Sequence, residues 1–223
     1  QSVATRAFLL GWKQVKKDST NDLGQVSGRT IADYEGRTAA FWQGTKDHDV
    51  SQNVDSLLKY LEVESGGNIL DFGCGPGRDL ADFKARGHNP VGLEGSTTFC
   101  EMARAFSGCE VLNQDFLNLD LPASHFHGVF ANATMFHVPT VELPNVLGKI
   151  HAALVPGGVL LCSNPRGQNE EGFQSERYCS FHDLEKWSAN VENAGFELLE
   201  HYYRPKGRPR DEQPWLVTVW RRV

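Results

Sequence analysis

The stretch "ILDFGCGPGRDL", Ile69 to Leu80, sets three glycines within five residues directly behind an apolar run. Asp71 opens the cluster, and Arg78 and Asp79 close it. Glycines at Gly73, Gly75 and Gly77 let a chain turn tightly and approach a ligand at contact distance. "NILDF" ahead of them reads as a buried strand, and "RDLADFKARG" behind them as a helix stopping at Gly87. A strand, a bare turn and a helix form the unit that binds ligands in sheets with helices on both faces.

The same alternation runs outward from this unit. "PVGLEGS" is a strand and "TTFCEMARAFSG" a helix closing on Gly108. "EVLNQD" and "HGVFANA" are strands, "LPNVLGKIHAALVPGG" is a helix ending in a Pro-Gly-Gly turn, and "GVLLCSN" is a strand. "HDLEKWSANVENAG" is a helix closing on Gly195. "FELLEHYYR" and "WLVTVWRRV" follow with only a loop between them, so they pair antiparallel. The expected fold is α/β: a doubly wound, mostly parallel seven-stranded sheet with helices on both faces and a C-terminal antiparallel hairpin strand. Upstream, "DHDVSQNVDSLLKYLEV" carries Val54, Leu57, Leu58 and Leu61 on one stripe, with Asp49 or Ser51 as cap. "RTIADYEGRTAAFWQG" is weakly helical. Residues 1–28 read as a partly ordered extension, and residues 29–223 as one domain whose lid helices span about 29–62.

Composition narrows the class. The chain has 223 residues, 40% of them hydrophobic, and a net charge of −6. That length supports one sizeable core, and the acidic balance argues against a nucleic-acid partner. No apolar run reaches membrane-spanning length. The five cysteines form no CxxC pair, so they are expected to be reduced, with no metal site. The expected compartment is the cytoplasm. Gln1 stands first, which leaves room for a removed transit peptide and an organellar address.

The glycine pattern selects among ligands. A GxGxxG fingerprint begun at Gly73 needs glycine where Arg78 stands, and one begun at Gly75 needs it at Leu80. No GK[ST] follows either. Glu94 ends the second strand, where a carboxylate can accept both hydroxyls of a ribose. Asp115, ending the third, can accept from an exocyclic amine, and Phe116 offers an adenine ring an apolar surface and a backbone amide. A nucleoside without a pyrophosphate fits these stations. The bland readings remain beside them: a plain strand-to-helix turn, a solvated Glu94, and Asp115 as a turn cap.

Taken together, "LDFGCGPG", "VGLEGS", "NQDFLNLDLP", "LVPGGVLL" and the terminal strand pair resemble the class I S-adenosylmethionine-dependent methyltransferases of small-molecule type, over residues 50–223. The resemblance implies S-adenosyl-L-methionine as cofactor and S-adenosyl-L-homocysteine as product. It implies that Asp71 organises the loop, that Gly73-Cys74-Gly75 lies along the methionine end, that Glu94 binds the ribose, and that Gly77 and Gly95 also belong to the cofactor site. Asp115 and Phe116 would take the adenine, and Asn132, in "ANA", would face the methionine amino group. One departure is "HFHGVF", with His127 where many relatives carry an aspartate before the fourth strand.

Other residues are candidates on position alone. Trp42 would cover the methionine chain or pack in the core. His48, between Asp47 and Asp49, is either a functional group or a solvated helix start. His137, just past the fourth strand, is either a general base or a packed histidine. Asn164, Arg166, Tyr203 and Arg204 are expected to meet the substrate, Arg166 as a carboxylate clamp. With Lys206, Arg208 and Arg210, Arg204 forms either an anionic-substrate site or a solvated basic loop. The expected reaction is methyl transfer to a small-molecule nucleophile by a monomer or homodimer. The rivals are a non-catalytic cofactor-binding module or partner subunit, and a nicotinamide-dependent dehydrogenase.

Overall fold

The computed structural model describes residues 23–223. The first strand, β1 (Asn68–Phe72), is followed by α4 (Arg78–Ala85), β2 (Asn89–Glu94), α5 (Thr97–Ser107), β3 (Glu110–Asn113) and β4 (Phe126–Asn132). Then come α6 (Leu143–Ala153), β5 (Leu154–Pro165), a ribbon of β6 (Glu170–Gln174) and β7 (Arg177–Phe181), α7 (Leu184–Glu192), β8 (Phe196–Arg204) and β9 (Trp215–Arg222). Ahead of β1 lie α1 (Leu23–Glu35), α2 (Thr38–Thr45) and α3 (Ser51–Leu58). The seven-stranded sheet runs β3-β2-β1-β4-β5-β9-β8. Strands β1 to β5 are parallel, and β9 pairs antiparallel with both β5 and β8. The strand order reverses between β1 and β4, which opens the crevice where such sheets bind ligands.

The strands read as continuous apolar runs because both faces are covered. Period-two alternation splits the core cleanly. Ile69, Phe130, Val159, Leu161, Val217 and Val219 meet Val54 and Leu57 of α3 and Phe83 of α4. Leu70, Val129, Ala131, Leu160, Cys162 and Trp220 meet α6 and α7 through Val146, Ile150, Trp187 and Val191. Each fully buried side chain of this size contributes roughly 1.5–3 kcal/mol. The buried Trp187 indole keeps its polar handle satisfied by donating to Thr218 Oγ1 at 3.0 Å.

Local departures from the sequence reading have local causes. Helix α6 stops at Ala153 rather than running to the Pro-Gly-Gly turn. Leu154 already pairs with Phe126, and residues 155–158 bulge out before Val159 pairs with Gly128. Asp49 does bond Ser51 N at 2.9 Å, but the residue at the α3 N-cap is Val50, which cannot cap. Helix α1 begins at Leu23, inside the stretch read as an extension, and residues 1–22 of that extension lie outside the described residues. Gly36 and Arg37 break the weakly helical segment into two helices. The β6–β7 ribbon, in a segment the sequence reading assigned to no element, packs against α1. His127 occupies its position structurally: its Nδ1 accepts from Asn68 N at 3.0 Å.

Candidate functional site

The turn after β1 is tied to β2. Gly73 N and Cys74 N both donate to Leu93 O, at 2.8 and 3.1 Å. Gly75 N donates to Glu94 Oε2 at 3.0 Å, and Ser96 N to Glu94 Oε1 at 2.9 Å. The Glu94 carboxylate is thus braced by two backbone amides. Gly73 has φ +77°, and a Cβ there would stand 2.2 Å from Thr134 Cγ2. At the end of β3, Asp115 Oδ1 accepts from Leu117 N at 2.9 Å and from Ser27 Oγ of α1 at 2.6 Å. The Phe116 ring stacks on Phe72 with centroids 4.4 Å apart.

Two cavities flank the turn. A narrow one of about 90 Å³ is lined by Glu94, Gly95, Asp115, Phe116, Thr134 and His137, and roofed by Ser27, Thr30, Ile31 and Tyr34 of α1. A wider one of about 610 Å³ is lined by Trp42, Asp47, His48, Asp49, Cys74, Arg78, Asn132, Ser163, Arg204 and Trp215, among others. Phe41, Gly73, Gly75 and Ala133 line both. Phe41 therefore divides the cavities, packed at 5.2 Å on Phe99 and edge-on to Tyr34 at 5.6 Å.

Helix α1 is fastened across the narrow cavity at several points. Thr30 Oγ1 accepts from Tyr178 N at 2.9 Å. Glu35 accepts from Thr98 N at 3.1 Å and from the Ser96 and Thr98 hydroxyls, at the start of α5. Tyr34 OH lies 2.9 Å from His137 Nε2, and His137 Nδ1 lies 2.7 Å from Tyr178 O. A carbonyl can only accept, so Nδ1 carries the hydrogen and Nε2 accepts from the tyrosine. Burial pushes the imidazole down to about 4 and raises the Tyr34 phenol.

Residues 69–158 match a family model described as a methyltransferase domain. Over those residues the chain carries a methyltransferase domain, and its fold is that of the class I S-adenosylmethionine-dependent methyltransferases. The chain is 35% identical over 191 residues to a sterol 24-C-methyltransferase of Eremothecium gossypii, across 71% of this chain and 48% of that one. It is 26% identical over 205 residues to phosphoethanolamine N-methyltransferase 1 of Zea mays, across 83% of this chain and 40% of that one. The chain spans about half the length of the sterol methyltransferases it matches. Its fold is that of 1,6-didemethyltoxoflavin-N1-methyltransferase of Burkholderia thailandensis, with TM-score 0.73, 19% identity and 88% of each chain covered. That structure holds 1,6-didemethyltoxoflavin and S-adenosylhomocysteine.

The residues around this turn fit S-adenosylmethionine on two observations. The Gly73 backbone is kept bare by its φ and by Thr134. Beneath it Asp71 is buried, and its Oδ2 has no hydrogen-bond partner. Burial, then the nearby Asp79, raise the Asp71 carboxyl, with Glu94 adding a smaller push. Burial likewise raises Glu94. This concentration of carboxylates favours a ligand carrying positive charge.

Not every residue singled out in the sequence reaches a cavity. Gly77 lines neither: with φ +91° it lets α4 press on α5, where a Cβ would meet Ala103 Cα at 2.8 Å. The Arg166 guanidinium donates to the carbonyls of Gln213 at 2.8 Å and Arg210 at 2.5 Å, so it braces the β8–β9 loop instead of clamping a ligand. Tyr203 lies under Arg210 at 3.3 Å, and Asn164 is buried in β5; neither lines either of these two cavities. Arg204 does line the wider one, donating to Asp49 O at 2.7 Å. Trp42 lines it too while packed edge-on to Phe106 at 5.0 Å. Asn132 Oδ1 accepts from the buried Asn53 at 2.9 Å, whose own Oδ1 accepts from Tyr202 OH at 2.9 Å. The residues sequence reading missed are those of α1. Ser27, Thr30, Ile31 and Tyr34 recur at helical spacing on one face, a stripe that was present to be read. Among the described residues no His, Cys, Asp and Glu cluster could hold a metal ion, and no helix is long and apolar enough to cross a membrane.

Proposed function

We propose that this chain transfers a methyl group from S-adenosylmethionine to a small-molecule nucleophile. The observation that carries the reading is the pair of cavities meeting at the Gly73–Gly75 turn, one lined by the Glu94 and Asp115 carboxylates, the other wide. Glu94 would take the ribose, with Gly95 beside it, and Asp115 and Phe116 the adenine. Gly73, Cys74, Gly75 and Asn132 would hold the methionine end, with Asp71 beneath the turn and Trp42 and Phe41 above it. When bound, the cofactor supplies a methyl group already activated by a positive sulfur. The chain's share is alignment and exclusion of water by α1 and α2, which can lower a barrier by roughly 7–11 kcal/mol.

His137 is neutral at physiological pH, with its accepting nitrogen on Tyr34 OH. Tyr34 and His137 line the narrow cavity alone, so a proton would reach His137 only from an acceptor whose nucleophile enters past Phe41, and then through the Tyr34 hydroxyl. His48 is exposed in the wider cavity and is the second candidate base. An anionic acceptor rests on Arg204 alone, because Arg78 is already paired bidentately with Asp79. The relatives named for sterol, phosphoethanolamine and toxoflavin chemistry support a small acceptor and leave its atom open. An open cavity of about 610 Å³ favours an enzyme over a binding module with a blocked acceptor pocket.

The test is a screen with labelled cofactor against small thiols, amines and carboxylates, with Glu94→Ala as blank. Transfer undiminished in the blank counts against the ribose assignment. On an accepted substrate, Tyr34→Phe is expected to lower kcat about a hundredfold with KM little changed, and to move the pH profile. An unchanged kcat removes Tyr34 from the proton route.

A further inference from the structure

Asp115 is held in a way that the cofactor reading alone does not require. Its Oδ1 accepts twice, from Leu117 N at 2.9 Å and from Ser27 Oγ at 2.6 Å. No described residue donates to its Oδ2. Both Ser27 and Asp115 line the narrow cavity, 88 residues apart in the chain and brought together by the placement of α1. With Leu117 N alone, the carboxylate has one fixed donor and can turn about its terminal torsion, which is broad. A second donor from a different element fixes the plane of the group. It also commits Oδ1, so that one oxygen is left for a ligand.

We propose that Ser27 is a positioning residue for base recognition: by locking Asp115 it makes the cavity select a purine with a 6-amino group over one with a 6-oxo group. This rests on the assignment of Asp115 to the adenine. An ionised carboxylate has no hydrogen to donate. It rewards the amine and meets a 6-oxo group lone pair against lone pair. A carboxylate free to rotate away discriminates less, because it can avoid the repulsion and turn to water. Discrimination by a fixed polar group therefore depends on what holds the group still.

The experiment is calorimetric titration of the full chain with S-adenosylhomocysteine and with its inosine analogue, S-inosylhomocysteine. The wild-type chain is expected to prefer the adenosine ligand by about tenfold or more, as a charge-assisted hydrogen bond allows. In Ser27→Ala this ratio should shrink about three- to tenfold, while Ser27→Thr, which keeps the hydroxyl, should retain it. An unchanged ratio in Ser27→Ala, with both ligands weakened alike, would show that Ser27 only fastens the helix and overturns the proposal. Tighter binding of both ligands would show the serine occupying the amine's place, and overturns it as well. A wild-type chain that binds S-adenosylhomocysteine without preference over the inosine form fails the assignment of Asp115. One that binds neither fails the nucleoside reading itself, so the failures are separable.

Discussion

The β1–β3 half of the sheet and the lid above it are built on different scales. From β1 to β3 the ties are short-range and largely backbone: Gly73 to Leu93, Gly75 to Glu94, Gln114 to Glu94. The lid is held by side chains far apart in sequence. Tyr34 meets His137 across 103 residues, Arg29 meets Glu176 across 147, and Thr30 meets Tyr178 across 148. The half that forms the floor is dictated by glycine geometry and strand ends. The half that closes over it depends on the whole chain having folded. The floor should therefore fail as a fold when altered, and the lid should fail as a function.

The strongest way to break that contrast is Gly73→Ala. The added methyl would meet Thr134 Cγ2 at 2.2 Å and Cβ at 2.9 Å, on a backbone at φ +77°. Overpacking and a left-handed alanine together should cost about 2–5 kcal/mol. The urea midpoint is expected to drop accordingly, with binding of S-adenosylhomocysteine lost. A variant that keeps both would mean that the turn has room the structure denies it.

The same contrast explains what was legible. Glycines that close helices, such as Gly108 with φ +63°, and apolar runs bounded by turns are local signals, and the strands that position Glu94 and Asp115 follow from them. The β6–β7 ribbon was not legible: "NEEGFQSERYCSF" has a turn at Ser175 with φ +57°, without the Asn-Gly signature that marks a hairpin. Nor was the fate of Arg166. Its position after β5 pointed at the cleft, but the carbonyls of Gln213 and Arg210, across the sheet, captured its guanidinium. Position along a strand says which end a residue occupies, not which partner reaches it first.

A pH titration sharpens the comparison, because it reads the lid's buried imidazole. An unfolded histidine takes its proton near 6.5, whereas folded His137 waits until about 4. Between those values the unfolded chain binds more protons, so stability falls as pH drops from about 6.5 to about 4, by about 3 kcal/mol in all. Burial lowers His88 and His182 too, with the same sign, while the raised Asp71 and Glu94 oppose it. Comparing urea midpoints of the wild-type chain and His137→Gln at pH 7, 5.5 and 4.5 isolates the one group. The variant should lose less stability on acidification. Equal losses would mean that α1 opens well before the domain unfolds.

The smallest effect is expected at the outer edge of the lid. Arg29 donates to Glu176 at 2.9 Å and lies over the Phe173 ring at 4.0 Å, with the two charged side chains 48% and 60% exposed. Exposed pairs of this kind contribute about 0–1 kcal/mol and are weakened by salt. Arg29→Ala should shift the urea midpoint only slightly and change S-adenosylhomocysteine affinity by less than about threefold. The small number is informative because Thr30, the next residue, is buried and takes the Tyr178 amide. If the ion pair did the fastening, the ribbon would hold α1 by charge, and raising the salt would loosen the lid in the wild-type chain as much as the substitution does. If the Thr30–Tyr178 bond does it, neither change should matter. A loss above about 2 kcal/mol would place the ribbon and α1 in one cooperative unit with the sheet, and the division between a locally specified floor and a globally specified lid would no longer hold.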